Sequence, residues 1–424
     1  MDVAPNTKSI AVIGAGPKAA ALAAKAEVLR SRNIGEIRVL VFEQTELAAH
    51  WKGRAGFTDG QGTNVTPPEK DVGFPYDSKN FGIDVDSAMM RDYSWAAYLV
   101  SLGAYAEWVD RGRPRPRHQS WGGYIDWVLG RTSAQIHYTT VSSISRAGGG
   151  SFRLLVSSKD RNGDSRYDEV DGVVFTGPGP IRKLAGNNLI GTEDDIDARS
   201  YWRLIPRFAS IPSGKVAIIG AGETAASVAI SVLENNQNLM IEIINRHGML
   251  FSRGESFFEN RLFSSDRDWS DRSLRNRSEL ISRSDRGLVS SKAMARLSEE
   301  GRVRFRSGRV KSIDRGENEI RVRFDGGMDD ISYDSVINAT GFDNWAPLEL
   351  LVPELRPKGK EGQLSQEEQE ELAIDSHLRL PLSDTGVNIH VPMISGISQG
   401  PGFPGLSCLG LLADRILAAY VPHK

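Results

Sequence analysis

The stretch Ser9-Ile-Ala-Val-Ile13, followed by Gly14-Ala-Gly16-Pro17-Lys-Ala19, sets the reading of the whole chain. A short apolar, β-branched run stops at a glycine turn and passes into an alanine-rich segment, Ala19 to Arg30. That pattern is strand, tight turn, helix. A second apolar run, Ile37-Arg-Val-Leu-Val-Phe42, ends at Glu43 and completes a βαβ unit of a parallel sheet. The same grammar recurs far downstream. Lys215-Val-Ala-Ile-Ile219 runs into Gly220-Ala-Gly222-Glu223-Thr224-Ala225, then a helix through Leu233, then the strand Met240-Ile-Glu-Ile-Ile244.

Both turns fit G-x-G-x-x-G/A, through Gly14, Gly16 and Ala19 and through Gly220, Gly222 and Ala225. The first glycine permits the turn, and the second lets backbone approach a diphosphate. The small third residue packs helix on strand, so the positive helix end faces phosphate. A lone match has a ligand-free glycine turn as its alternative; two matches in full βαβ context weaken that alternative. The fold class expected is α/β with two Rossmann-like dinucleotide-binding domains and substrate-binding elements between them. The second module reads as inserted into a discontinuous first one, with residues 1–205 and 335–424 in the first and 206–334 in the second. The chain leaves the first near Gly177 to Pro212 and returns near Ala339. A Gly/Pro-rich segment (Gly53 to Pro75), an aromatic one (Trp121, Tyr124, Trp127) and a strand pair near Val141 to Val156 lie between the turns. Long loops of this kind usually carry binding functions. Glu361 to Glu371 reads as a solvated helix or loop.

At 424 residues the chain is long enough for two domains with large cores. A net charge of -2 and a pI near 6.4 give no field that points to nucleic acid or anionic lipid. The cations from Arg111 to Arg117 form one short run, a solvated loop or a contact for a nucleotide phosphate. Cys408 is the single cysteine, which rules out an intrachain disulfide or a redox dithiol and suits a reducing compartment. With no signal-like start between Met1 and Lys8 and no apolar run of about 18 residues, a cytoplasmic protein without a membrane span is expected. The seven histidines form no metal-binding pattern. A homo-oligomer is compatible with all of this.

The ends of the second strands separate the two nucleotides. Glu43 stands where a carboxylate accepts from a ribose hydroxyl and repels a 2′-phosphate, which suits FAD. The equivalent place downstream reads Asn245-Arg246, where a cation in place of the carboxylate favours NADPH over NADH. Arg253 is a weaker candidate for the same phosphate, and a surface cap on the strand is the alternative for Arg246. A flavin beside NADPH without a cysteine pair leaves oxygen activation: molecular oxygen is the co-substrate, and a flavin hydroperoxide gives its distal oxygen to a nucleophile.

Both glycine turns together with Asn338-Ala-Thr340-Gly341-Phe342 resemble the class B flavin monooxygenases over nearly the whole chain. Within that class the chain is similar to the N-hydroxylating branch of lysine and ornithine N-hydroxylases. Trp51, Asn64 and Lys70-Asp71 resemble that branch's flavin-facing tryptophan, amide residue and Lys-Asp pair. Phe258-Glu-Asn260-Arg-Leu-Phe263 is similar to its Phe-x-Asn-Glu-x-Phe segment, and Pro116-Arg117 with Tyr124 and Trp127 to its Pro-x-Arg and Tyr-x-x-Trp. The Baeyer–Villiger fingerprint F-x-G-x-x-x-H is missing from the linker. The chain also departs from the branch: Asp285-Arg-Gly-Leu-Val-Ser290 replaces an Asn-Tyr-Ser segment, Arg261 replaces a glutamate, and a family glutamate is missing near Gln119-Ser120.

The resemblance implies that Lys70 and Asn260 hold the carboxylate or amine end of an amino acid, and that Asn64 and Trp51 face the flavin. Each has a plainer alternative: a lysine paired with Glu69 or Asp71, a side-chain bond to local backbone for Asn260, a turn asparagine, a core tryptophan. His50 reads as structural. Gln399 to Ser407 enters a helix beginning near Cys408, and by the same resemblance Leu406 and Ser407 meet the flavin ring. The remaining candidate cofactor contacts are Gly14, Gly16, Pro17, Ala19, Glu43, Gly220, Gly222, Glu223, Thr224, Arg246, Thr340 and Gly341. The expected activity is N-hydroxylation of an amino acid or small diamine in natural-product or siderophore biosynthesis. Oxygenation of sulfur, an aromatic amine or a ketone, and a redox sensor that oxygenates nothing, are the alternatives.

Overall fold

The chain is described by a computed structural model covering residues 7–148, 153–184, 186–285, 287–317, 319–326, 329–356, 366–382 and 386–421. The first strand, Lys8–Ile13, pairs in parallel with Ile37–Phe42 on one side and Gly172–Phe175 on the other. Asn388–His390 and Gln135–His137 extend the sheet to five parallel strands. Side chains alternate between its faces. Ile10, Val12, Val39, Val41 and Val174 meet the helices Pro17–Ser31, His118–Gly130 and Leu409–Ala418. Ala11, Leu40, Phe42, Val173 and Phe175 meet a three-stranded antiparallel sheet built on Thr139–Arg146, Leu154–Asp160 and Ser165–Val170.

The helix Pro17–Ser31 forms because Pro17 at its start fixes φ where no N–H is needed, and a run of alanines follows. It ends at Asn33, whose φ of 55° lets Ile34 N–H donate to Leu29 carbonyl at 3.0 Å. Twelve of its residues are buried, including Lys18 and Lys25, so it is an interior helix in spite of two lysines.

The second sheet repeats the design. Its order is Val303–Ser307, Leu239–Asn245, Gly214–Ile219, Ser335–Asn338, Ile196–Asp197, all parallel. Val216, Ile218, Ile241, Ile243 and Ile337 face the helix Glu223–Asn235. Ala217, Ile219, Ile244 and Val336 face a second antiparallel three-stranded sheet through Ile313, Ile320, Val322, Phe324 and Tyr333.

Two features differ from the segment boundaries read from the sequence. Ile196–Asp197 and Ser335–Asn338 are hydrogen-bonded into the second sheet, although both fall within the ranges assigned to the first domain. A two-residue strand has no periodicity to read, and strand membership is decided by a partner more than a hundred residues away. In addition, the helices Phe257–Ser264 and Leu274–Ser284 lean on the first module. Trp269 Nε1 donates to Ile397 carbonyl at 3.0 Å, and Arg277 donates to the carbonyls of Ile397 and Ser398. Asp266 pairs with Lys79 at 2.6 Å and with Arg415 at 2.5 Å. Gln366–Ala373 is the helical part of the charged segment, while residues 361–365 lie outside the described residues. No helix among the described residues is long and apolar enough to cross a membrane.

Candidate active site

Gly14 has φ +99°, and a Cβ there would stand 2.6 Å from Thr176 Oγ1, so a side chain at this position meets both strain and a clash. Gly14 N–H donates to Phe42 carbonyl at 2.8 Å and closes the turn on the second strand. Gly16 begins the helix with no side-chain cap, and a Cβ there would meet nothing within 4 Å. Ala19 is fully buried against the sheet. The Glu43 carboxylate is buried at the strand end, accepting from Ala15 N–H at 3.0 Å and from Thr45 N–H and Oγ at 2.8 Å.

The second turn has the same construction. A Cβ on Gly220 would stand 2.3 Å from Ala339 carbonyl oxygen, while Gly222, uncapped at the start of its helix, has only Gly287 Cα at 3.9 Å. The Glu223 carboxylate is engaged, accepting from Ser290 N–H at 2.6 Å and Ser290 Oγ at 2.9 Å. Thr224 follows it in the first turn of the helix. Arg246 is exposed just past the strand Leu239–Asn245, whereas Asn245 is buried and accepts from His247 and Gly248 N–H. Arg253 pairs with Asp285 at 3.0 Å.

The linker brings both modules to one place. Thr340 donates through N–H and Oγ to Asn338 Oδ1, and Gly341, at φ +92°, accepts from Arg182 N–H at 2.9 Å. Phe342 lies 6.4 Å, centroid to centroid, from His50, whose ring is next to Trp51 at 5.0 Å. Trp51 is half-buried in a short 3₁₀ turn and meets His118 edge to face at 5.4 Å. Burial, together with the nearby His118, holds the His50 imidazole down to about 4, so it is neutral at physiological pH. Asn64 is buried, and its Oδ1 has no hydrogen-bond partner among the described residues. A buried amide oxygen of this kind needs a polar group brought by something else.

A cleft of about 140 Å³ is lined by Val65, Thr66 and Pro67, the residues that follow Asn64 in the chain. Lys70 lines one wall from the first module, and Arg253, Glu255 and Asn260 line the other from the helical excursion, with Arg115 and Ser407 at its margin. Lys70 Nζ donates to Asn260 Oδ1 at 3.4 Å, across 190 positions of sequence. Asn260 Nδ2 donates to Glu255 carbonyl at 3.0 Å, and the Ser256/Glu259 capping box fixes the start of its helix. Burial, then repulsion from Arg253, lowers the Lys70 pKa below the usual lysine range. Asp71 does not share the cleft. It is buried, accepting from Trp95 N–H at 2.8 Å and Tyr76 O–H at 2.7 Å, and its burial raises its pKa to about 6. Tyr124 is likewise structural, donating to Tyr93 carbonyl at 2.7 Å. Leu406 is partly buried against the first core, and Cys408 starts the Leu409–Ala418 helix without a side-chain cap.

The sequence profile of the L-lysine 6-monooxygenase/L-ornithine 5-monooxygenase family matches residues 88–344. L-lysine N6-monooxygenase MbtG from Mycolicibacterium paratuberculosis is 35% identical over 97% of this chain and 95% of its own length. This chain belongs to the lysine/ornithine N-monooxygenase family. The solved structure of lysine monooxygenase NbtG from Nocardia farcinica agrees at TM-score 0.80 and 32% identity, over 96% of this chain and 99% of that one. Ornithine hydroxylase PvdA from Pseudomonas aeruginosa shares the fold at TM-score 0.75 and 20% identity over 98% of both chains. As a lysine/ornithine N-monooxygenase the chain is an FAD- and NADPH-dependent flavin monooxygenase that N-hydroxylates an amine. The residues present fit two dinucleotides: two uncapped helix starts with open space at their glycines, and the buried Asn64 amide oxygen without a partner among the described residues.

Of Arg115, Glu255 and Lys18, the sequence pointed only to Arg115, within the run Arg111 to Arg117 read as a solvated loop or a contact for a nucleotide phosphate. For the first two the only signal was charge in loop-like sequence, which most surface loops share.

Proposed function

We propose that the chain hydroxylates the side-chain amine of free L-lysine, within a natural-product or siderophore pathway. The observation that carries the reading is Lys70, a half-buried cation facing Asn260 in a cleft whose wall starts at Val65, one residue after Asn64. A cation there suits an amino acid's carboxylate. Asn260 offers an amide oxygen to an amine without a titrating proton, and the lysine N6-monooxygenase relatives support lysine as the amino acid. In this reading the first glycine turn and Glu43 hold FAD, helped by Pro17, Thr340, Gly341, Leu406 and Ser407. Gly220, Gly222, Glu223, Thr224 and Arg246 hold NADPH. Trp51 borders the flavin ring, and Asn64 Oδ1 accepts a hydrogen bond from it.

The bound flavin, reduced by NADPH, supplies the activated oxygen. One oxygen atom enters the amine to give a hydroxylamine and the other leaves as water, with NADPH and one proton consumed. The protein's part is to seat the amine, keep it neutral and exclude bulk water. The test is a screen of L-lysine, L-ornithine and cadaverine for coupled NADPH oxidation, with product mass. A lysine product heavier by one oxygen is expected, and turnover confined to ornithine or the diamine would overturn the substrate assignment.

Two further outcomes follow. Arg246→Ala should lower kcat/KM for NADPH by about tenfold, the loss of one exposed charge-assisted contact, with little change for NADH. Equal losses with both cofactors, measured by initial rates, would remove Arg246 from phosphate recognition. The pH profile for lysine should be bell-shaped. Its rising limb belongs to the substrate amine, with a free pKa of about 10.4, whose neutral fraction grows about tenfold per pH unit below that value. The falling limb belongs to Lys70. Its pKa is lowered, so raising the pH discharges it earlier than an ordinary lysine and the grip on the carboxylate is lost. Lys70→Arg should move only the falling limb upward. A kcat/KM flat from about pH 6 to about pH 9, with chemistry rate-limiting, would contradict both assignments.

A further inference from the structure

Lys18 occupies a variable position of the first glycine turn and becomes the second residue of the helix that follows. Its side chain is 4% exposed. Nζ donates to Pro404 carbonyl at 2.7 Å, to Met393 Sδ at 2.6 Å and to Thr176 carbonyl at 3.3 Å. All three acceptors are neutral, and no carboxylate among the described residues forms an ion pair with it. Two turns further along the same helix, Lys25 is also buried, but it meets the Asp414 carboxylate at 3.3 Å. One interior lysine is neutralised by the fold and the other is not. The unneutralised one connects the phosphate-facing turn, Gly14 to Ala19, with the segment that carries Leu406 and Ser407.

A buried cation without an anion is costly unless it discharges or a ligand brings the missing charge. We propose that Lys18 is the counter-cation for an anionic group of the bound flavin dinucleotide, either its diphosphate or the pyrimidine edge of its reduced ring. It is a positioning residue that touches the cofactor and also holds Pro404. This rests on the first glycine turn being the flavin site.

Burial brings the Lys18 ammonium down to about 7 when nothing anionic is bound. The titratable group facing it is the Cys408 thiol, which burial pushes up to about 12 and which is therefore uncharged. Thr176, Met393 and Pro404, from the other elements packed on it, are neutral. An anion arriving beside Lys18 restores its proton, so flavin binding above neutrality takes up a proton from solvent.

The test uses full-length apoprotein, prepared from wild type, Lys18→Met and Lys18→Arg, titrated with FAD and with riboflavin. If the diphosphate is the partner, Lys18→Met weakens FAD by about tenfold or more and leaves riboflavin unchanged, and Lys18→Arg restores FAD affinity. If the reduced ring is the partner, oxidised FAD binds as before but the flavin midpoint potential falls by about 30 mV, the equivalent of tenfold for two electrons. Lys18→Met with wild-type FAD affinity and wild-type potential would overturn the proposal.

Should Lys18→Met fail to fold, calorimetry on the wild type decides. FAD binding in buffers of different ionisation enthalpy should take up close to one proton near pH 8.5 and almost none near pH 5.5. No uptake at the higher pH, either on binding FAD or on anaerobic reduction of the bound flavin, overturns it. Gly16→Glu, which puts a carboxylate at the uncapped helix start, serves as the control. If that variant still binds FAD, the flavin-site assignment itself has failed, whatever Lys18 does.

Discussion

Lys70→Met is expected to lower kcat/KM for L-lysine by about two orders of magnitude, while cadaverine, which lacks the carboxylate, changes by only a few-fold. Removing one partner of a desolvated charge pair costs roughly 2–5 kcal/mol. Lys70 is only half-buried, so the lower half of that range applies, and about 3 kcal/mol corresponds to roughly 100-fold. Met keeps the length and apolar stem of lysine, so the loss reports the charge rather than a cavity. The loss should appear mainly in KM, because a carboxylate remote from the reacting nitrogen is gripped equally before and during the chemistry. Asn260→Ala combined with Lys70→Met should lose less than the sum of the two single variants, since Lys70 Nζ donates to Asn260 Oδ1 and the pair acts as a unit. Steady-state kinetics with both substrates check this. Equal losses for lysine and cadaverine would show that Lys70 shapes the cleft without binding the carboxylate.

Both halves of that cleft were named from the sequence, but by resemblance rather than by pattern. What local physics made legible were the two glycine turns, each between a strand and a helix. A strand, a glycine turn and a small residue packed under a helix all fall within about twenty residues, and each step is a local steric demand. The same holds for Glu43 and Arg246, which stand one place beyond their strands.

The course of the chain between modules was less legible. The helices Phe257–Ser264 and Leu274–Ser284 are amphipathic, and nothing in their spacing says which body they cover. That is settled by single distant contacts, such as Trp269 Nε1 on Ile397 carbonyl and Asp266 on Arg415. Asp71 likewise reads as a neighbour of Lys70 in sequence, yet successive residues in a turn point apart, and it is held inward by Trp95 N–H and Tyr76 O–H. Lys18 was in plain view inside the glycine hexad. A motif that specifies glycines says nothing about its variable positions, and only burial gives that lysine a meaning.

Asp414→Ala should destabilise the fold by about 3–5 kcal/mol, the usual cost of stranding one member of a buried ion pair. Asp414 and Lys25 are each 1% exposed, and the carboxylate does more than neutralise the lysine. Its Oδ1 also accepts from Ser78 Oγ, and its Oδ2 accepts from Asn80 Nδ2 at 2.7 Å. It thereby fastens the loop between Lys70 and Ile83 to the C-terminal helix, whose start follows Leu406 and Ser407. Burial lowers the Lys25 pKa despite the attraction of Asp414 and Asp86, and without Asp414 the ammonium loses its hydrogen-bonded carboxylate and keeps only the pull of Asp86. Lys25→Met together with Asp414→Leu should recover much of the loss, because two apolar groups of similar volume need no neutralisation. The Ser78 and Asn80 contacts would stay broken, so recovery should be incomplete and FAD retention on gel filtration should remain below wild type. Urea melts of Lys25→Met, Asp414→Leu and the double variant measure the cycle, with Asp414→Ala measured beside them. If Asp414→Ala costs less than about 1 kcal/mol, the range of an exposed pair, the ammonium finds water or another acceptor when Asp414 is gone and the helix Pro17–Ser31 is not sealed at its centre.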